Sequence, residues 1–198
     1  MDLVLASASP RRRDLLAQIG VNFSCDPADI DETVKLGEAA TDYVERMAKQ
    51  KAAKVMSKYA GQGVAVLAAD TIVVVDEIDI LGKPIDRFDA LAMLARLSGR
   101  NHSVMTALNL VHPEGEHSER VETQVQFISL TQQLCEAYLA TDEPCDKAGA
   151  YAIQGLAGVF VQGINGSYSN VVGLPLAETW QLLNKIGVST ALADMAGD

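Results

Sequence analysis

Val64-Ala65-Val66-Leu67-Ala68-Ala69-Asp70-Thr71-Ile72-Val73-Val74-Val75 is the stretch on which the fold turns. Its apolar runs, 64–68 and 72–75, read as buried strand, and the polar residues 76–79 after them read as a turn. Asp70 and Thr71 interrupt the runs, so the first is expected to end at the carboxylate. Upstream, Leu3-Val4-Leu5 reads as a short strand, followed by a loop carrying Ser7 and a helix that Ser9 caps, Pro10 starts and Gly20 closes. A second helix is predicted over 41–59, with Asp42 and Glu45 in its first turn, Lys51 in its middle, and Lys54 and Lys58 late, the charge order that the helix dipole favours. Downstream, Asp86 caps a helix that reaches Leu97 and stops at Gly99. Segments 103–111 and 122–130 read as an antiparallel strand pair around the turn Pro113-Glu114-Gly115, Thr131 caps a helix to 140, and Pro175 starts a last helix to 186. Residues 146–173 are rich in glycine and lack periodicity, so they read as a long loop. The alternation of helix and strand signals indicates an α/β class of fold.

The chain has 198 residues, enough to bury a core without disulfides or a structural metal. Its formal net charge of −10 opposes broad binding to a nucleic acid polymer, which depends on Lys and Arg displacing counterions. A small anion needs only a few well-placed cations, and Arg11-Arg12-Arg13 is a local exception to the acidic background. The first residues lack a basic leader, and no apolar run reaches the roughly 20 residues a membrane helix needs, so a cytoplasmic protein without membrane contact is expected. Cys25, Cys135 and Cys145 are odd in number and far apart, and read as buried thiols rather than a disulfide framework or zinc knuckle. His102, His112 and His117 have no metal-ligand spacing, which argues against a zinc hydrolase.

Chemistry concentrates at a few places. The loop from Ser7 to Arg13 leaves a strand and enters a helix, so its backbone N–H groups, the helix dipole, the hydroxyls of Ser7 and Ser9 and the arginine guanidinium groups all favour an anion such as a triphosphate. The plainer reading is a capped helix with a solvated arginine face, and no Walker-type loop accompanies it. Asp70, at the end of an apolar run, is costly to bury unless paired, hydrogen-bonded or metal-bound. With Glu32 it could supply oxygen ligands to a hard divalent cation, or it could activate water as a general base, or cap a turn. Lys83 lies before Pro84, which keeps it extended and able to clamp phosphate; Lys51 and Lys147 are further cations. Gln154 carries an amide that both donates and accepts, as a base edge requires.

Together, Ser7-Ala8-Ser9-Pro10-Arg11-Arg12, Ala69-Asp70-Thr71, Gly82-Lys83-Pro84, Asp146-Lys147-Ala148-Gly149-Ala150-Tyr151, Gln154-Gly155 and Asn165-Gly166-Ser167 resemble the Maf family of nucleotide pyrophosphatases, in order and over nearly the whole chain. The resemblance implies an elongated mixed sheet flanked by helices with a central substrate cleft, Maf/ITPase-like, in one domain of two lobes over 1–188, with 189–198 as a C-terminal tail. It implies a homodimer that uses a divalent cation, Mg²⁺ or Mn²⁺, to hydrolyse a nucleoside triphosphate between its α and β phosphates. Carried over residue by residue, Asp70 and Glu32 are the expected catalytic and metal-binding carboxylates, and Ser7, Arg11, Arg12, Lys51 and Lys83 the phosphate binders. Thr71 and Gln154 resemble the branch acting on dTTP and UTP, where Arg11, Thr71 and Gln154 would set base preference. The alternatives are the 7-methyl-GTP branch and a nucleotide-binding regulator of septum formation.

Overall fold

In the computed structural model, which describes residues 1–141, 143 and 147–192, the decisive stretch is one strand, β3 (Ala65–Val75), unbroken through Asp70 and Thr71. The expected interruption does not occur. All of its residues except Thr71 are buried, so the strand is covered on both faces, and the Asp70 carboxylate has a cationic partner that makes an interior position tolerable.

Strand β1 (Leu3–Leu5) lies parallel to β3, with Leu3 opposite Ala65 and Leu5 opposite Leu67. Its other edge takes β2 (Phe23–Cys25), also parallel and too short to announce itself in the sequence. After the turn at 76–78, β4 (Asp79–Leu81) folds back antiparallel on β3, with Val73 opposite Leu81. Strands β5 (Asn101–His112) and β6 (Gly115–Phe127) are neighbours joined by only Pro113 and Glu114, a connection short enough to allow only the antiparallel arrangement. With β7 (Val161–Asn165), antiparallel to β6, they complete a mixed seven-stranded sheet of order β2-β1-β3-β5-β6-β7, β4 pairing with β3.

The helices follow the sequence signals closely: α1 (Pro10–Gln18), α2 (Ala40–Met56), α3 (Arg87–Leu97), α4 (Gln132–Leu139) and α6 (Leu176–Lys185), with a short α5 (Tyr168–Val172) before the last. Asp86 Oδ1 accepts the Asp89 N–H at 2.8 Å and Thr131 Oγ1 the Leu134 N–H at 3.2 Å, each satisfying an orphan donor of the first turn. The segment read as a long loop is structured where it is described. It holds 3₁₀ turns at Ala148–Ala150 and Leu156–Phe160, then β7 and α5, while Cys145 and Asp146 lie outside the described residues. Its glycines hide any period, yet Ala150, Tyr151, Ala157 and Phe160 are buried, so tertiary packing rather than amphipathicity orders it.

Two compact units share the chain. The first comprises Met1–Asp70, Thr106–Val121 and the described residues from Gly173 onward; the second comprises Thr71–Met105 and Glu122–Val172. In the first, Val4 and Ala6 of β1, Val66 and Ala68 of β3, and Ala52 and Val55 of α2 form a small core. The chain stays attached past Ser189, where Trp180 Nε1 donates to Thr190 Oγ1 at 3.1 Å and the Ala191 N–H to the Ile19 carbonyl at 3.1 Å. In the second, Leu94, Leu97, Phe127, Tyr151 and Phe160 anchor a larger core with edge-to-face rings. Cys135 is buried as expected, whereas Cys25 is exposed at the end of an edge strand. Among the described residues no helix is long and apolar enough to cross a membrane.

Candidate active site

In the first unit, α2 buries the row Tyr43, Met47, Lys51 and Val55, residues four apart that lie above one another on a helix. Lys51 is therefore a lysine on an apolar stripe, and its ammonium is placed by that stripe rather than by a loop. It donates to Asp70 Oδ1 at 2.6 Å and pairs with Glu32 Oε1, also at 2.6 Å. Lys51 and Asp70 are both buried, so removing either would leave the other an uncompensated interior charge, while Glu32 meets the ammonium from an exposed position. Burial pushes the Asp70 carboxyl above the usual carboxylate range, against the pull of Lys51 and Arg12.

The loop between β1 and α1 delivers the second group of cations. Ser9 caps α1, its Oγ accepting the Arg12 N–H at 3.5 Å. Ser7 is buried, and its Oγ accepts both the Ser9 N–H at 3.2 Å and an Arg12 Nη1–H at 3.4 Å. The Arg12 Nε–H donates to the Gly173 carbonyl at 2.8 Å, which aims the guanidinium along a fixed line. Burial lowers the Arg12 pKa while Asp70 and Glu32 raise it, so the guanidinium lies within the field of both acids and remains charged. Arg11 adds its charge beside Arg12.

Glu32 lies in the irregular segment 26–39, which α2 holds in shape. Tyr43 Oη–H donates to the Glu32 carbonyl at 2.9 Å. Arg46 donates Nε–H and Nη2–H to the two carboxylate oxygens of Glu38, at 2.5 and 2.6 Å, and Nη2–H also to the Thr33 carbonyl at 3.0 Å. The fork holds the Glu38 carboxyl at about 2, well below its ordinary value. Tyr43, Glu38 and Arg46 are thus positioning residues that the sequence did not single out. The one available signal was an Arg three positions after a Tyr on the buried face of a predicted helix.

Asp70 and Glu32 converge on a single cation, the Lys51 ammonium, so the place where they meet suits positive charge. Two carboxylate oxygens are a hard donor set that fits Mg²⁺ or Mn²⁺. Among the described residues no group of three or more His, Cys, Asp or Glu side chains could hold a metal, so further ligands would come from phosphate and water.

Of the nine expected site residues, Ser7, Arg11, Arg12, Glu32, Lys51 and Asp70 belong to the first unit, where contacts join Ser7 to Arg12 and Lys51 to Asp70 and Glu32, and the two acids act on Arg12 through their charge. Lys51 is held by the two acids. Thr71, Lys83 and Gln154 belong to the second unit. Lys83 is exposed in its loop, whose Gly82 carbonyl accepts the Gly149 N–H at 3.0 Å, tying Gly82-Lys83-Pro84 to the 3₁₀ turn of the Lys147-Tyr151 motif. Gly149 has φ of 70°, and a Cβ there would stand 3.0 Å from Val73 Cγ2, so this junction admits only glycine without a shift. Gln154 is exposed next to Gly155.

A family profile described as Maf-like protein matches residues 2–186. A dTTP/UTP pyrophosphatase of Hahella chejuensis is 53% identical, over 94% of this chain and 92% of that one. One from Myxococcus xanthus is also 53% identical, over 94% of this chain and 93% of its own, and one from Shewanella sp. is 50% identical, over 95% and 100%. Among solved structures, a nucleoside-triphosphatase / dITP/XTP pyrophosphatase from Mycobacterium abscessus aligns with a TM-score of 0.44 at 18% identity, over 94% of this chain and 98% of that one.

Proposed function

This chain belongs to the Maf-like family, and from that membership we propose that it hydrolyses dTTP and UTP to the nucleoside monophosphate and pyrophosphate. The observation that carries the reading is the Lys51 ammonium set between Asp70 and Glu32 within the field of Arg12. A buried acid, a second acid on the same ammonium and cations of fixed aim are what phosphoryl-type transfer asks of a protein, since positioning and electrostatics supply most of its rate.

In the proposed reaction a water oxygen attacks the α phosphorus, the bond from that phosphorus to the bridging oxygen breaks, and pyrophosphate leaves. Asp70 takes the water proton, a role suited to a carboxyl whose pKa burial has raised. Arg11, Arg12 and Ser7 grip phosphate oxygens, and Lys83 clamps the polyphosphate. Lys51 has three N–H donors, two of which face the acids here, and the third is the one for a phosphate oxygen. Asp70 and Glu32 would hold a divalent cation, whose chemistry is to neutralise charge that develops on the phosphate. Thr71 and Gln154 read the pyrimidine edge. Thymine and uracil share that edge and differ by one methyl, worth only about 1–3 kcal/mol, so both are accepted. The reading extends to a cytoplasmic homodimer acting on free nucleotides; light scattering of the purified protein checks the dimer.

The deciding experiment measures pyrophosphate release from dTTP, UTP, 7-methyl-GTP, ATP and GTP with Mg²⁺, Mn²⁺ or chelator. Turnover of dTTP and UTP that stops in chelator is expected. Preference for 7-methyl-GTP would move the chain to the other branch, and tight dTTP binding without release would make it a regulator.

A further inference from the structure

Among the described residues that neither the motifs nor the proposed chemistry use, Glu143 stands out for its hydrogen bonds. It is a half-buried carboxylate in the second unit. Its Oε1 accepts Tyr138 Oη–H at 3.0 Å and the Ala157 N–H at 3.3 Å, and its Oε2 accepts the Leu156 N–H at 2.8 Å. Those two amides open the 3₁₀ turn Leu156–Phe160, so the carboxylate caps a helical N-terminus from a distance in sequence of 13 and 14 residues. The carbonyl of the same residue accepts the Lys147 Nζ–H at 2.5 Å.

The carboxylate also lies directly against the glycine beside the proposed base reader. A Cβ on Gly155 would stand 2.3 Å from Glu143 Oε2 and 2.4 Å from its Cδ and Oε1. Gly155 has φ of −106°, an angle open to any residue, so what a side chain there would meet is the Glu143 carboxylate, which would have to move aside. Gln154 therefore precedes a glycine against which one acid is seated, and two amides bound by that same acid follow directly. On the other side, the Gly155 N–H donates to the Ala152 carbonyl at 3.0 Å, closing a tight turn around Gln154.

We infer that Glu143 is a positioning residue for substrate choice: its carboxylate fixes the turn 152–157 and so sets where the Gln154 amide meets the pyrimidine. This rests on the reading of Gln154 as the base-edge residue. A bidentate acid on two backbone amides restrains the main chain on the C-terminal side of Gln154, and a misplaced amide would lose the paired donor and acceptor that a uracil or thymine edge needs. The chemistry is assigned to Asp70, so changes at this turn are expected in KM and preference rather than in kcat.

The test is steady-state kinetics of E143Q, G155A, Q154A and the double variant E143Q/Q154A on dTTP, UTP and GTP, with folding followed by circular dichroism. E143Q keeps the shape but faces an amide nitrogen towards a donor, and G155A keeps the glutamate while its methyl displaces the carboxylate. Both are expected to raise KM for dTTP and UTP about tenfold with kcat within about twofold, and to narrow the preference over GTP. E143Q/Q154A should be no worse than Q154A alone, because the two act through one contact. If Q154A leaves pyrimidine preference intact, the base-reading assignment fails and this inference with it. If Q154A changes preference but folded E143Q and G155A do not, only this inference fails. Variants that lose kcat and KM selectivity together, effects of E143Q and Q154A that simply multiply, or failure of both E143Q and G155A to fold would make Glu143 a stability element and overturn the positioning role.

Discussion

Two segments, 26–39 and the turn 152–157, are each held by one charged side chain, but from opposite directions. Arg46 reaches out of helix α2 and takes the Thr33 carbonyl and the Glu38 carboxylate, so the segment bearing Glu32 is fastened by its acceptors to a rigid element. Glu143 lies outside any α-helix or strand and takes donors, the Leu156 and Ala157 amides and the Tyr138 hydroxyl. A guanidinium on a helix fixes a carboxylate in space, which suits Glu32 and the chemistry beside it. A carboxylate bound to a turn's amides fixes the turn's curvature, which suits recognition of a substrate edge.

The contrast breaks most sharply at Asp70. Asp70→Asn keeps the strand and a hydrogen bond to Lys51 but removes the base, so kcat for dTTP should fall about 1,000-fold while pyrimidine preference is kept; near-normal turnover would reject the catalytic assignment. A second prediction concerns the second unit alone. His102 is buried, its Nε2 lies 2.8 Å from Tyr151 Oη, its Nδ1 has no hydrogen-bond partner among the described residues, and burial lowers its pKa to about 4. Because the folded value lies below the unfolded one, the neutral ring's contribution is complete above about pH 6.5 and is lost as pH falls towards 4, about 3 kcal/mol in all. Thermal melts between pH 7.5 and 4.5 should show this slope, and His102→Phe should flatten it; parallel slopes would assign the acid sensitivity elsewhere.

Smaller effects sharpen the comparison. Arg46→Met should release segment 26–39 and lower kcat/KM about tenfold through kcat, with pyrimidine preference unchanged, the reverse of what a loosened Gln154 turn does. A change in base preference in Arg46→Met would erase the distinction between the two clamps. The smallest change is expected at Cys25, exposed on an edge strand. Cys25→Ser should leave dTTP turnover within about twofold, and a larger loss would place a thiol in the mechanism that the acids and cations are proposed to run.

Much of the fold was legible. Caps at Asp86 and Thr131, the proline of α1 and the turn at Pro113 and Glu114 are local chemistry, and each worked where it was read. The misreadings share one cause. Asp70 looked like a strand end because an unpaired buried carboxylate is costly, and the partner that removes the cost is 19 residues away on α2. Lys51 was legible as mid-helix, and its place in the row Tyr43, Met47, Val55 could have announced a buried ammonium in need of acids. Glu143 carried no such sign, because its partners lie on backbone amides that no side-chain pattern reports.

The sequence by itself determined the class of fold, the five longer helices to within a few residues, and the candidate acids and cations, because these rest on periodicity, capping and charge over a few residues. Only the tertiary structure decided that Asp70 sits inside a continuous strand, that one ammonium joins it to Glu32, and which charged residue fastens each segment. The physical reason is desolvation: whether a buried charge or a bent backbone is tolerable depends on partners that the chain brings near only when it folds.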